Sequence, residues 1–226
     1  MRLIDLSHRI VFPHWRWKPE REITSNPAQG AVFLSSRLNM TLHGFTHVDG
    51  ASHFLRDGAA VADMPLDRWV GPAAVIDLTH VGADQAIRVE DLERCAAHLQ
   101  ADDIALLRTD WDRRRDISSR QFWTEAPYVS REAALWLADH GVKAVGYDFP
   151  ADASMKSHPE NPGALGREAQ TTHDVFFPRG IVVIEYLANL AAIDAASPRS
   201  RAFFVALPLK VDGGDGSPVR AVALEL

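Results

Sequence analysis

The chain has 226 residues, 46 % of them apolar, enough to bury the core of one compact domain spanning 1–226. A formal charge of −6, with its 24 basic residues scattered rather than blocked, argues against nucleic-acid binding, and no apolar run approaches the ~20 residues needed to cross a bilayer. The single cysteine, Cys95, excludes an internal disulfide, and without a basic, apolar and small-residue leader the expected location is the cytoplasm.

In chain order, Leu3 to Leu6 reads as a strand and runs into a loop rich in Pro and Trp (Phe12, Pro13, His14, Trp15, Trp17, Pro19). Ala31 to Met40 is a second strand candidate, and a His-rich segment from His43 to His53 follows it. Ala73 to Leu78 and Ile104 to Leu107 read as buried strands on either side of an amphipathic helix, Val89 to Leu99, in which Cys95 falls at core spacing. Ser130 can cap a helix from Arg131 to His140, which Gly141 stops before a strand from Lys143 to Tyr147. From Asp148 to Gly166 the density of Pro, Gly, Asn, Ser and Asp predicts an irregular excursion. A short helix from Glu168 to Phe177 follows, then strands at Ile181 to Tyr186 and Ala202 to Leu207, a turn at Gly213 to Gly216 and a last strand, Val219 to Leu224. The β-α-β rhythm, with no internal repeat, predicts a single α/β domain.

The segment His43-Gly-Phe-Thr-His47-Val-Asp49-Gly-Ala-Ser-His53 concentrates three of the ten histidines and a carboxylate within eleven residues. His43 and His47 are four apart and can share a helical face, as can Asp49 and His53. Imidazole and carboxylate donors suit Zn²⁺, with Mn²⁺ or Fe²⁺ also possible, although no Glu follows either His in the manner of a zincin. Glu185 interrupts the apolar run Ile181 to Leu187; it either lies on a solvent face of the strand or is buried and needs a cation or strong donors. His173, taken alone, is equally ambiguous. Nucleophile-elbow, dinucleotide and P-loop motifs are absent, and Gly213 to Pro218 lacks the lysine and helix of a phosphate loop.

These residues resemble the bacterial cyclase family of metal-dependent hydrolases, the group of kynurenine formamidase and isatin hydrolase. Its signature HxGTHxDxPxH is matched from His43 to His53 except that Phe45 stands for the usual Gly and Ala51 for the usual Pro. Further matches are Asp5-Leu6-Ser7, Leu107 to Trp111 with Asp110 for Gly, Gly146 to Pro150, Thr172-His173, Ile184 to Leu190 and Pro208 to Ala221. The resemblance implies a swivelling β/β/α fold, with a mixed, barrel-like β-sheet core flanked by helices, in homodimers or higher homo-oligomers. It implies that His43, His47 and Asp49 hold one divalent ion and Asp49, His173 and Glu185 a second where two are bound, with Glu185 bridging, zinc being the first expectation and manganese the next. His53 would be the general acid and base, and Trp15 would contact substrate, while Phe45 would narrow the pocket. The expected reaction is attack of metal-activated water on an amide, lactam or related carbonyl of a small aromatic or cyclic substrate. The alternatives are a non-catalytic binding protein on the same fold and a polyketide-type cyclase.

Overall fold

The computed structural model describes residues 2–193 and 200–225. In chain order the strands are β1 (Arg2–Asp5), β2 (Glu20–Ser25), β3 (Ser35–Asn39), β4 (His47–Asp49), β5 (Val70–Asp77), β6 (Ala86–Ile87), β7 (Ile104–Arg108), β8 (Tyr128–Val129), β9 (Ala144–Tyr147), β10 (Val182–Glu185), β11 (Arg201–Val205), β12 (Gly216–Pro218) and β13 (Val222–Glu225). The helices are α1 (Val89–Cys95), α2 (Trp111–Arg114), α3 (Gln121–Thr124), α4 (Arg131–Asp139), α5 (Ser154–Ser157) and α6 (Thr171–Phe176).

Nine strands form one mixed sheet in the order β1-β13-β11-β5-β7-β9-β10-β4-β12. Its centre, β5-β7-β9-β10, is parallel, and both flanks pair antiparallel. Parallel strands need both faces covered, which is why these segments read as continuous apolar runs. Alternate residues then serve two cores. Ile76, Ala105, Leu107, Val145, Tyr147 and Val183 pack under Leu92 of α1, Ala133 and Leu137 of α4, and Phe176 of α6. Val75, Ile104, Leu106, Ala144, Val182 and Ile184 face a second core closed by Ile4, Val48, Phe204 and Ala223 from the flanking strands. The sheet therefore curls over its own inner face, and this helix-flanked mixed sheet is the architecture expected from the resemblance.

Asp148 fastens two of the matched segments together. Buried at the end of β9, it accepts hydrogen bonds from the backbone N–H and Oγ1 of Thr109 and from the N–H of Asp110, which tie it to the end of β7. Burial, with the charge of Asp112 adding to it, raises its pKa to about 7.

Several elements differ from expectation. The strand expected over Ala31 to Met40 is confined to Ser35–Asn39, where it pairs with the charged β2 in an exposed hairpin. With no buried face, its sequence carries no alternation to read. The helix expected to reach Leu99 closes at Cys95, because the Ala96 N–H caps Leu92 and the chain turns there. The turn expected at Gly213 to Gly216 runs directly into β12, which pairs with β4 through Gly216, Ser217 and Pro218. Ser130 caps α4 as expected, its side chain accepting from the Ala133 N–H. Among the described residues no helix is long and apolar enough to cross a membrane.

Gly146 sits in β9 between β7 and β10, where an added Cβ would lie 2.8 Å from Leu187 Cδ1 and 3.1 Å from Leu106 Cδ2. Gly146→Val is expected to overpack this face and destabilise the protein by about 1–3 kcal/mol. The measurement is the urea midpoint at constant m-value, and an unchanged midpoint would show that the seam can yield.

Candidate metal centre

The signature segment is not a helix. His47 and Asp49 lie two apart on β4, so both side chains leave the same face while Val48 enters the inner core. This replaces the shared helical face that the four-residue spacings suggested. Antiparallel pairing with β10 sets Glu185 opposite His47 and Val183 opposite Asp49, bringing Glu185 onto that same face. Of the two positions open to Glu185 from sequence, the structure takes the buried one, at 7 % exposure.

His47 is held by local backbone. Its Nδ1–H donates to the Phe45 carbonyl at 2.8 Å, which leaves Nε2 as the free donor atom, 3.2 Å from Asp49 Oδ1 and 3.4 Å from Glu185 Oε2. Phe45 adopts φ +56°, a left-handed conformation that a glycine takes without strain, which accounts for the Gly usual at this place in the motif. The Phe45 ring is buried and packs against Trp17 and His14. Trp15 also packs on this aromatic cluster, with the Arg120 guanidinium over its ring.

Asp49 is the hub. Its Oδ1 accepts from His43 Nδ1 at 2.7 Å, and its Oδ2 lies 3.4 Å from His173 Nε2. The donor atoms of His47, Asp49 and Glu185 lie within 4.8 Å of one another, as do those of His43, Asp49 and His53, so Asp49 belongs to both groups. His47 Nε2 and Asp49 Oδ2 are buried and have no hydrogen-bond partner among the described residues. Two such atoms side by side would be costly in a dry interior, and imidazole and carboxylate donors converging in this way fit a divalent cation.

The electrostatics agree with that fit. Burial alone lowers the pKa of His47, but the charges of Asp49 and Glu185 more than offset it and raise the value to about 10. His43 is also raised despite burial, through Asp49 and Asp215. Burial raises the Asp49 and Glu185 carboxyls, but the surrounding imidazoles bring both below their ordinary values. Without a cation the cluster therefore retains protons on its imidazoles. His53 behaves differently: burial lowers its pKa, and the neighbouring His43 and His173 lower it further.

Two residues of this centre were assigned no role from sequence. Asp152, inside the segment expected to be irregular, accepts from His173 Nδ1 at 2.7 Å and from the Thr172 N–H at 2.7 Å, aiming His173 Nε2 at Asp49. Asp215, in the expected turn, accepts from His43 Nε2 at 2.9 Å and lies 3.8 Å from His53 Nδ1. The Gly50 N–H donates to the Asp215 carbonyl and the Val61 N–H to that of Gly214, clamping the C-terminal turn to the His-rich segment. The nearest sequence hint was the glycine density from 213 to 216, because Gly216 approaches His43 too closely for any side chain.

A Cβ on Gly216 would lie 2.6 Å from His43 Cε1. Gly216→Ala is therefore expected to displace the imidazole and weaken divalent-metal affinity about 10- to 100-fold, the range typical of lost outer support; unchanged affinity in a metal titration would contradict this. Metal binding is also expected to expel protons from the imidazoles, so affinity should rise with pH below the His47 value of about 10. Calorimetry in buffers of different ionisation enthalpy reads this directly, and a heat independent of buffer would contradict it.

With this geometry established, comparison with known proteins assigns the family. Residues 4–152 match the Cyclase family model, described as "Putative cyclase". Over 98 % of its length, and 97 % of the relative's, the chain is 32 % identical to the kynurenine formamidase of Salinibacter ruber. It superposes at a TM-score of 0.72 and 25 % identity on a structure titled as a potential metal-dependent hydrolase with cyclase activity, covering 98 % of this chain and 96 % of that one. Isatin hydrolase A from Ralstonia solanacearum shares the fold at a TM-score of 0.80 and 24 % identity, over 99 % and 92 % of the two chains. The chain belongs to the cyclase family of metal-dependent hydrolases.

Proposed function

We propose that this protein hydrolyses a carbon–nitrogen amide bond in a small aromatic or cyclic substrate, such as a formamide of an arylamine or a cyclic imide. The observation that carries this reading is the pair of buried, unpartnered donor atoms, His47 Nε2 and Asp49 Oδ2, beside a half-exposed imidazole of lowered pKa, His53. The names of the formamidase and hydrolase relatives support the reaction class.

The residues that would hold the metal are His43, His47, Asp49, His173 and Glu185, as one ion or two, zinc first and manganese next. A divalent ion there supplies Lewis acidity, lowering the pKa of water toward ~7 and polarising the scissile carbonyl. His53 is uncharged near neutral pH, so it can take the proton of the attacking water and return it to the leaving nitrogen. Asp215, 3.8 Å from its Nδ1, offers charge balance to the imidazolium formed in between. Asp152 keeps His173 in the tautomer whose Nε2 faces the centre. Trp15 and Phe45 belong to an aromatic shell beside the centre and would act on substrate through its shape. The apolar side chains that the β2–β3 hairpin exposes, Ile23, Phe33 and Leu38 among them, support a homo-oligomer.

His53→Ala is expected to keep its metal by elemental analysis and to lose about 10²- to 10⁴-fold in kcat/KM; wild-type turnover would remove His53 from the mechanism. The reaction itself is tested with metal-loaded protein against N-formyl anilines, isatins, cyclic imides and lactones. Binding without hydrolysis across that panel would favour a non-catalytic role.

A further inference from the structure

Next to the candidate centre lies a cavity of about 450 Å³ lined by His53, Phe54, Asn161, Arg167, Gln170 and His173, together with two glycines. One end is imidazole: the His53 and His173 rings stand 5.7 Å apart, and both reach toward Asp49. The wall is apolar and aromatic, with Phe54 5.8 Å from His173 and stacked 6.1 Å from Phe177. The Arg167 guanidinium lies 4.3 Å over the Phe54 ring of that wall.

Arg167 is built to face a ligand. Its Nε donates to Asp174 Oδ1 at 2.9 Å, while among the described residues its terminal amino groups make no hydrogen bond. Asp174 does not neutralise it fully, because its other oxygen accepts from Arg131 at 2.9 Å, so two guanidinium groups share one carboxylate. Among the described residues, no carboxylate lines the cavity itself. A planar guanidinium with free donors, fixed by an aromatic face and an ion pair, suits bidentate recognition of a carboxylate.

We propose that Arg167 is a specificity-determining residue that receives a substrate carboxylate in this cavity, selecting aromatic amides that carry a carboxylate without a neighbouring ammonium. This rests on the hydrolase reading above, in that the amide faces His53 and the carboxylate faces Arg167. An α-ammonium beside the carboxylate would find no acidic partner among the described lining residues and would meet the guanidinium's charge instead.

The test uses the zinc-loaded enzyme and three matched formamides of one arylamine: a phenylpropanoate, its uncharged carboxamide and the corresponding phenylalanine. Wild type is expected to favour the propanoate over the carboxamide by about tenfold or more in kcat/KM, with no gain from the α-amino group. Arg167→Met, which keeps the stem on Phe54, should remove most of that preference, while Arg167→Lys should retain part of it as a point charge. Equal use of propanoate and carboxamide by wild type, an equal loss on both in Arg167→Met, or faster turnover of the phenylalanine would each overturn the proposal. If none of the three is hydrolysed, it is the hydrolase reading that fails. Calorimetric binding of phenylpropanoate and phenylpropanamide then decides the role of Arg167. A tenfold preference lost in Arg167→Met supports it, and equal affinities overturn it.

Discussion

The antiparallel pairing of β4 with β10 places His47, Asp49 and Glu185 on one buried face, and the candidate metal centre depends on that register. A slip of one residue would exchange Asp49 for Val48 on this face and put the carboxylate into the inner apolar core. Burying two carboxylates and an imidazole without full hydrogen bonding is tolerable only with protons or a cation among them. The raised pKa of His47 is the protonic solution, and the unpartnered Nε2 and Oδ2 atoms mark where a cation suits the site better.

Around that register the fold supplies support from distant parts of the chain. β10 is held in place by its parallel neighbour β9, whose Gly146 allows Leu187 and Leu106 to meet across it. The C-terminal turn adds Asp215 to His43 and His53, and the segment before α6 adds Asp152 to His173. Each imidazole aimed at the centre is therefore oriented by a carboxylate or carbonyl that is not itself part of the central strand pair. Left-handed backbone at Phe45 and at Tyr186, which follows Glu185, flanks the pair on both strands. Thr46 Oγ1 donates to the Tyr186 carbonyl at 2.6 Å and ties the two strained positions together. Such strain persists only where the surroundings over-determine it.

Much of this was legible in advance. The central strands were readable because burial on both faces leaves uninterrupted apolar runs, and α4 because Ser130 and Gly141 punctuate it. The His-rich segment stood out through density alone, without knowledge of its conformation. Of the exposed hairpin, β3 was read within a longer strand and β2 was not read, because their residues answer to no core, and β12 was masked by the glycines and proline that also make turns. The roles of Asp152 and Asp215 were not readable because an aspartate in a loop has the same sequence appearance whether it is solvated or braced against an imidazole.

The sequence by itself determined the donor chemistry of His43, His47, Asp49, His53, His173 and Glu185, and the likeness to the cyclase family that groups them, since residue type and local spacing are written in the chain. Only the tertiary structure decided that His47 and Asp49 project from a strand rather than a helix, and that Glu185 is buried on the same face, opposite His47. It alone seats Asp152 and Asp215 behind the imidazoles and brings Arg167 to the lining of one cavity with His53. The reason is that strand pairing, burial and the convergence of remote loops are long-range, and a carboxylate's role depends on what the fold places within ~4 Å of it.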